Sequence, residues 1–550
     1  MKPLGTMLIV AGLLTGLILP TGQAESVKSR SGPQANGASA DDSRDVAALA
    51  AKIDELIAKR WEADHVVPAP RADDATFIRR VSLDIAGKVP SVAELHEFLE
   101  DTSPDKRQKL VERLLDSPGY VMHFSNVWRA VMLPEAESNL EVRFLIPGFQ
   151  AWLRKQLTAN TGFDALVREI LTVPVDPRLA ANPFQPQAEV TPVGFYQAKQ
   201  LKPENLAAGT ARMFLGVRIE CAQCHDHPFD EWKREQFWGY AAFFAGVERD
   251  QNGDKGALDA IREMFDKREL EIPGTDKKVV PTHLDGMQPK LKFRDSTRTI
   301  LADWMISDRN TYFARTAVNR LWGQFFGIGI VNPVDDFTAD NPPSHPELLD
   351  ELARQFAAHK YDFKFLIRAI TATKTYQLSS QQTHKSQENP RLFARMALKG
   401  LAPEQLFDSI AQATGYHEPY ANRNPNQFGM MNNSAREDFL QMFDNSRDSV
   451  IEQQTTILQA LAMMNGQFVA DATGLEKSAT LSAVADFPLM TTAERVEALY
   501  LAAFSRPPRT DELERLVKYV DSGGAAKDSK KALSDIFWAL LNSSEFLFNR

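Results

Sequence analysis

Cysteine is nearly absent: the 550 residues hold two, Cys221 and Cys224. Two thiols close one bridge at most, which excludes a disulfide framework of the kind that staples small exported domains. Basic blocks are absent too. The net charge is -9, which argues against nucleic acid and against an anionic membrane surface as partner. Beyond the amino terminus no apolar run approaches the roughly 20 residues that a spanning helix needs. There is no nucleophile elbow, no phosphate-cradling glycine loop and no HExxH. Strand signals are few.

What is present is material for a core. Hydrophobic residues make up 43% and charged residues 25% of the chain, ordinary for a globular protein. The first residues combine Lys2, an apolar run from Met7 to Leu19 and a small-residue site at Gly22-Gln23-Ala24. This predicts a secretory signal peptide over residues 1–24. No cysteine follows it to take a lipid anchor. The mature protein is therefore expected to be exported, to the periplasm or the cell surface, with no transmembrane segment after cleavage. Residues 25–45, "ESVKSRSGPQANGASADDSRD", are polar and lack apolar periodicity. They read as a disordered linker.

From Val46 onward helical spacing dominates. "DVAALAAKIDELIAKRW" places Val46, Leu49, Ile53, Leu56 and Ile57 on one face. "TFIRRVSLDIAG" is expected to stop at Gly87, and Ser91 with Glu94 fits a capping box that opens the next helix. "PENLAAGTARMFLGVRIE" reads as a helix running straight into Cys221. Residues 251–294 are the least regular, with a small hairpin expected around Pro273-Gly274. The expected fold is mainly α. It comprises a helical domain over 46–250, an irregular connector over 251–294 and a second helical domain over 295–550. Residues 83–99 and 501–517 echo one another, each with Leu, a basic-x-Pro turn and Glu-Leu at matching offsets. Shared helix–turn–helix grammar and a duplicated helical unit both account for this.

Both cysteines sit in Cys221-Ala222-Gln223-Cys224-His225-Asp226-His227-Pro228. Cys-x-x-Cys-His is the attachment pattern for c-type haem. Two thiols add to the two vinyl groups of one porphyrin edge, and the next residue, His225, offers its imidazole to the iron. Phe229, Trp232, Phe237 and Trp238 follow, candidates for the apolar wall that haem requires or for plain core. Asp226 and His227 stand beside the axial ligand, where they can tune its basicity. Two rivals remain. Cys221, Cys224, His225 and His227 offer ligands to zinc or copper, with His123, His283 and His345 as remote candidates. A Cys221–Cys224 disulfide is the other. For a sixth iron ligand the sequence offers Met264 and Met287, each also an ordinary core residue.

In the second domain Ser344-His345-Pro346-Glu347 fits a capping box with Pro in the first turn. That leaves His345 as a ligand or hydrogen-bonding group. Asn319, Arg320, Asp335 and Asp336 flank the loop "FFGIGIV". Paired carboxylates bind a cation or do acid–base work, though capping or pairing with Arg is commoner.

Longer stretches carry a resemblance. "FIRRVSLDIAGKVPSVAELHEFLED", "KRQKLVERLLDSPGY" and "CAQCHDHPFDEW" resemble a planctomycete cytochrome-associated domain. "LADWMISDRNTYFARTAVNRLWGQFFGIGIVNPVDDFTADNPPSHPELLDELARQF", "LIRAITATKTYQLSS" and "LLNSSEFLFNR" are similar to a planctomycete surface domain. The resemblance implies no settled activity. Many such proteins also carry a small amino-terminal cytochrome c with its own CxxCH, which is lacking here. The leading expectation is an exported redox protein with one haem c on Cys221, Cys224 and His225, and an envelope redox protein as partner. The alternatives are a non-haem metal-dependent enzyme or redox protein, or a surface module that binds envelope polysaccharide.

Overall fold

The capping chemistry visible in the sequence sets where helices begin and end. In this computed structural model, which describes residues 40–174, 190–228, 230–249, 261–417, 435–442, 463–464 and 466–550, the first helix runs Ala40–Ala63. It begins inside the segment expected to be linker. The expected signal peptide lies outside the described residues. The next helix, Asp74–Ala86, opens where Asp73 accepts from the Thr76 N–H at 2.7 Å. It closes at Gly87, whose φ of 73° is left-handed. A Cβ there would sit 2.6 Å from His123 Nδ1, so the backbone conformation and the packing both require glycine. Ser91 and Glu94 form the expected reciprocal box at the head of Val92–Glu100.

Helices dominate, as the sequence predicts. Among the described residues the sheets are three antiparallel pairs. One is the hairpin around Pro273-Gly274, with Leu270 opposite Val279 and Glu271 opposite Lys278. Another pairs Lys399–Gly400 with Phe548–Asn549. No described helix is long and apolar enough to cross a membrane.

Arg44–Arg550 pack as one compact unit. The principal core takes side chains from Val46 through Met396, and Phe163 is one of its hubs. Its ring lies 5.0 Å from Trp128, 5.4 Å from Phe313 and 5.2 Å from Phe363. A second core, built mostly from residues 401–546, also takes in Leu83 and Val89.

Between the cores lies a buried charge centre. Asp84, 2% exposed, accepts from Lys399 Nζ at 2.5 Å, Asn549 Nδ2 at 2.7 Å and Tyr376 Oη at 2.7 Å. Lys399 also donates to the carbonyls of Gln324 and Phe325, where the dipole of the Thr311–Phe326 helix favours a cation. Burial pulls the Lys399 ammonium below its usual range, and Asp84 opposes it. Two fully buried arginines stand beside it. Arg79 donates to the Ala503 and Phe546 carbonyls, and Arg80 to those of Tyr376, Leu378 and Arg550.

The sequence echo has a matching geometry. Asp74–Ala86 and Thr492–Phe504 both end on a left-handed residue, Gly87 and Ser505. Each following helix, Val92–Glu100 and Thr510–Asp521, has a glutamate in its first turn that accepts from the cap residue's N–H. The third helices, Lys106–Leu115 and Ser529–Leu541, run into "LLDSPGY" and "LLNSSEF". There Ser117 and Ser543 each cap the next helical turn. The two segments share one three-helix plan.

Candidate functional site: the cysteine–histidine turn

The approach to Cys221 differs from the expected continuous helix. Pro203–Thr210 continues as a π-helical turn over Ala211–Leu215 and stops at Gly216, with φ 68°. Phe337 packs against this glycine and donates its N–H to the Gly216 carbonyl at 2.9 Å. A Cβ would come within 2.7 Å of the Phe337 ring. The chain then crosses Val217–Ile219 and forms a 3-10 turn over Glu220–Gln223.

Two arginines flank the break, and both grip Asp335. Arg212 Nε lies 2.6 Å from Oδ2, and Arg218 NH2 lies 2.6 Å from Oδ1. Arg320 stands 4.0 Å from the same carboxylate. Burial alone would raise the Asp335 carboxyl, yet the three guanidinium groups hold it below the usual carboxylate range. Burial brings Arg320 down to about 10, against the pull of Asp335. Glu220 is raised by burial. Asn319 fixes the loop that presents Asp335, exchanging hydrogen bonds with Val331 at 2.9 Å in both directions. Asp335 is thus an arginine anchor for the segment leading into the motif. Asp336 is held through its backbone, its carbonyl accepting from Asn341.

In the turn itself the backbone is anchored and the sulfurs face outward. Cys221 and Cys224 are both exposed and unbridged. Ala222 between them is buried and donates its N–H to Ile219. The Gln223 carbonyl accepts from Trp238 Nε1 at 3.0 Å and Arg234 Nε at 3.3 Å. His225 is exposed, with Nδ1 2.7 Å from the Asp226 carbonyl. A carbonyl only accepts, so Nδ1 carries the proton and Nε2 keeps its lone pair. Asp226 accepts from the Arg234 N–H at 3.0 Å and pairs with Lys233 at 3.1 Å, and both hold its carboxyl down. His227 donates its backbone N–H to Trp232, closing a loop.

The aromatic residues after the motif serve the core. Trp232, Phe237 and Trp238 are buried in the principal cluster, and Phe229 lies outside the described residues. Among the described residues no group of three or more His, Cys, Asp and Glu side chains is gathered to hold a metal ion. The set Cys221, Cys224, His225 and His227 is therefore not preassembled around one point.

The remote histidines are core residues with separate surroundings. His123 meets Phe124, His283 stacks between Phe243 and Trp304, and His345 tilts on Phe393. Burial holds all three down at about 4. Met264 is half-buried and Met287 is 58% exposed. The capping box expected at Ser344 does not form. His345 takes the cap position of Pro346–Ala358 without a side-chain bond. The Ser344 N–H is committed to Ile330 and its hydroxyl lies 3.1 Å from His345 Nδ1, while Glu347 reaches Lys59.

Comparison with known families fits this layout. A family model described as PSCyt2, a protein of unknown function (DUF1549), matches residues 52–249. A second, PSD1, also of unknown function (DUF1553), matches residues 297–520. The chain belongs to the planctomycete proteins that join a cytochrome-associated domain to a surface domain. No curated protein and no solved structure matches it. The cysteine–histidine turn falls in the cytochrome-associated domain, and Asp335, which anchors its approach, in the surface domain. Arg212 and Arg218 escape the sequence reading because their partner lies 123 and 117 residues away. The sequence signal available was their spacing around a glycine that stops a helix.

Proposed function

We propose that the protein is exported and carries one c-type haem on Cys221 and Cys224, with His225 as axial ligand, and that it passes electrons at the cell envelope. The observation that carries this reading is the turn itself. Two accessible, unbridged thiols share one 3-10 turn, and the adjacent imidazole keeps Nε2 unprotonated by donating from Nδ1 to a backbone carbonyl. The donor set and its tautomer fit the group. Haem, when bound, supplies a one-electron couple. The chain's own contribution is orientation: Trp238 and Arg234 hold the Gln223 carbonyl, and Asp226 ties the turn to the head of Arg234–Ala241. Because the neighbouring rings belong to the core, a haem on this turn lies at the surface. An accessible edge suits transfer to a partner protein better than chemistry at a shielded iron.

The test is export from a host with cytochrome c maturation machinery, followed by a visible spectrum and a haem stain of the denatured chain. Covalent haem that disappears in Cys221→Ala with Cys224→Ala supports the reading. Colourless protein beside a matured control cytochrome overturns it. The exposure of both thiols favours a second reading, a dithiol that closes a disulfide or takes zinc or copper. Metal analysis and thiol counting on the colourless protein decide that case.

A further inference from the structure

A cavity of 730 Å³ opens beyond the motif, lined by the loop from Pro228 to Trp232 on one side and by the surface domain on the other. Its volume lies within the range of small-molecule sites, about 300–1,000 Å³. Trp232, Tyr312 and Phe337 contribute rings; Asp230, Glu231 and Asp350 contribute carboxylates. One guanidinium, Arg315, lines the same space and is bound to Asp350 at 2.5 Å. Asp230 accepts from the Glu231 N–H, and neither of these two carboxylates has a cationic partner among the described residues. Trp232 is 6% exposed, and its indole N–H has no acceptor in the protein.

These features select among ligands. An anion meets surplus negative charge and is repelled. A neutral apolar molecule leaves two carboxylates unanswered. A protonated amine satisfies the carboxylates and gains from the ring faces as well. A hydroxyl or ring oxygen on its frame supplies the acceptor that Trp232 lacks. The Tyr312 phenol reports the same field: burial raises it first, and Glu231 and Asp230 raise it further.

We propose that this cavity binds a primary ammonium group, held by Asp230 and Glu231, on a frame that stacks against Tyr312 and Trp232. Two sources present that chemistry, an amino sugar of an envelope polymer and a lysine side chain of a partner. The site is independent of haem attachment. It shares with the motif only the loop closed by the His227–Trp232 hydrogen bond.

The test is calorimetric titration of the full chain with glucosamine, with N-acetylglucosamine and with Nα-acetyl-lysine amide, each to about 10 mM. Glucosamine or the lysine derivative is expected to bind, and the neutral N-acetyl sugar is not. Whichever amine binds tighter identifies the source. Glu231→Gln, a change at an exposed side chain, is expected to weaken the amine about tenfold. The Cys221→Ala, Cys224→Ala protein should bind as the parent does. Equal binding of the N-acetyl sugar, indifference to Glu231→Gln, or no binding of either amine overturns the proposal.

Discussion

Two polar centres of this molecule are built in opposite ways. Around Asp84 every charged group is buried and answered by lysine, tyrosine or asparagine. At Cys221–His225 the side chains are exposed and only the backbone is tied down. The first arrangement makes the fold depend on the charges. The second leaves the chemistry removable without touching the core. The contrast separates what the architecture needs from what the function needs.

The largest way to stress that contrast is acid. His123, His283 and His345 stay neutral in the folded chain down to about 4, against an ordinary value of 6.5. The unfolded chain binds their protons first, so the stability they hold is intact above pH 6.5. It drains as pH falls toward 4, by up to about 3 kcal/mol per histidine. Thermal unfolding followed from pH 7.5 to 4.5 should show a steep loss, blunted in His283→Phe. A flat profile would mean that these rings find protonation partners.

Next in size is Asp84→Ala, which strands the Lys399 ammonium in the interior. It should cost about 3–5 kcal/mol in denaturant unfolding. Adding Lys399→Met should recover part of that loss, the sign of direct coupling. Asp335→Asn comes third. It removes the counter-charge of three guanidinium groups, two of them half-exposed, and should cost about 1–3 kcal/mol. Faster amide exchange confined to Val217–Gln223 would mark the damage. The smallest effect is expected from Cys221→Ala with Cys224→Ala in haem-free protein, within about 0.5 kcal/mol of the parent. A larger loss there would erase the distinction between the two centres.

Much of the first centre's scaffold was legible in the sequence, because helix ends are local events. Gly87, the Ser91–Glu94 box and the Pro273-Gly274 hairpin each follow from a few neighbouring residues. The position of the cysteine–histidine turn was equally plain. What escaped was non-local. The break at Gly216 depends on Phe337 lying against it, and the role of Asp335 depends on arginines more than a hundred residues earlier. At Ser344 a valid capping pattern lost to competition, since its N–H and hydroxyl were already committed to Ile330 and His345. Trp232, Phe237 and Trp238 could be read from sequence as pocket or as core, and only packing assigns them to the core.

The pairing of the Asp74–Ala86 helix with Phe546–Arg550 has a consequence for how the chain is made. Arg79 finds Phe546 across 467 residues, and Asp84 finds Asn549 across 465. During synthesis the early helix must wait, its guanidinium groups hydrated, until the late segment emerges. A chain cut short before residue 546 leaves those cations without their acceptors and the second core open. Such a product stays recognisably unfinished to proteases, so completeness is checked by the same bonds that close the fold.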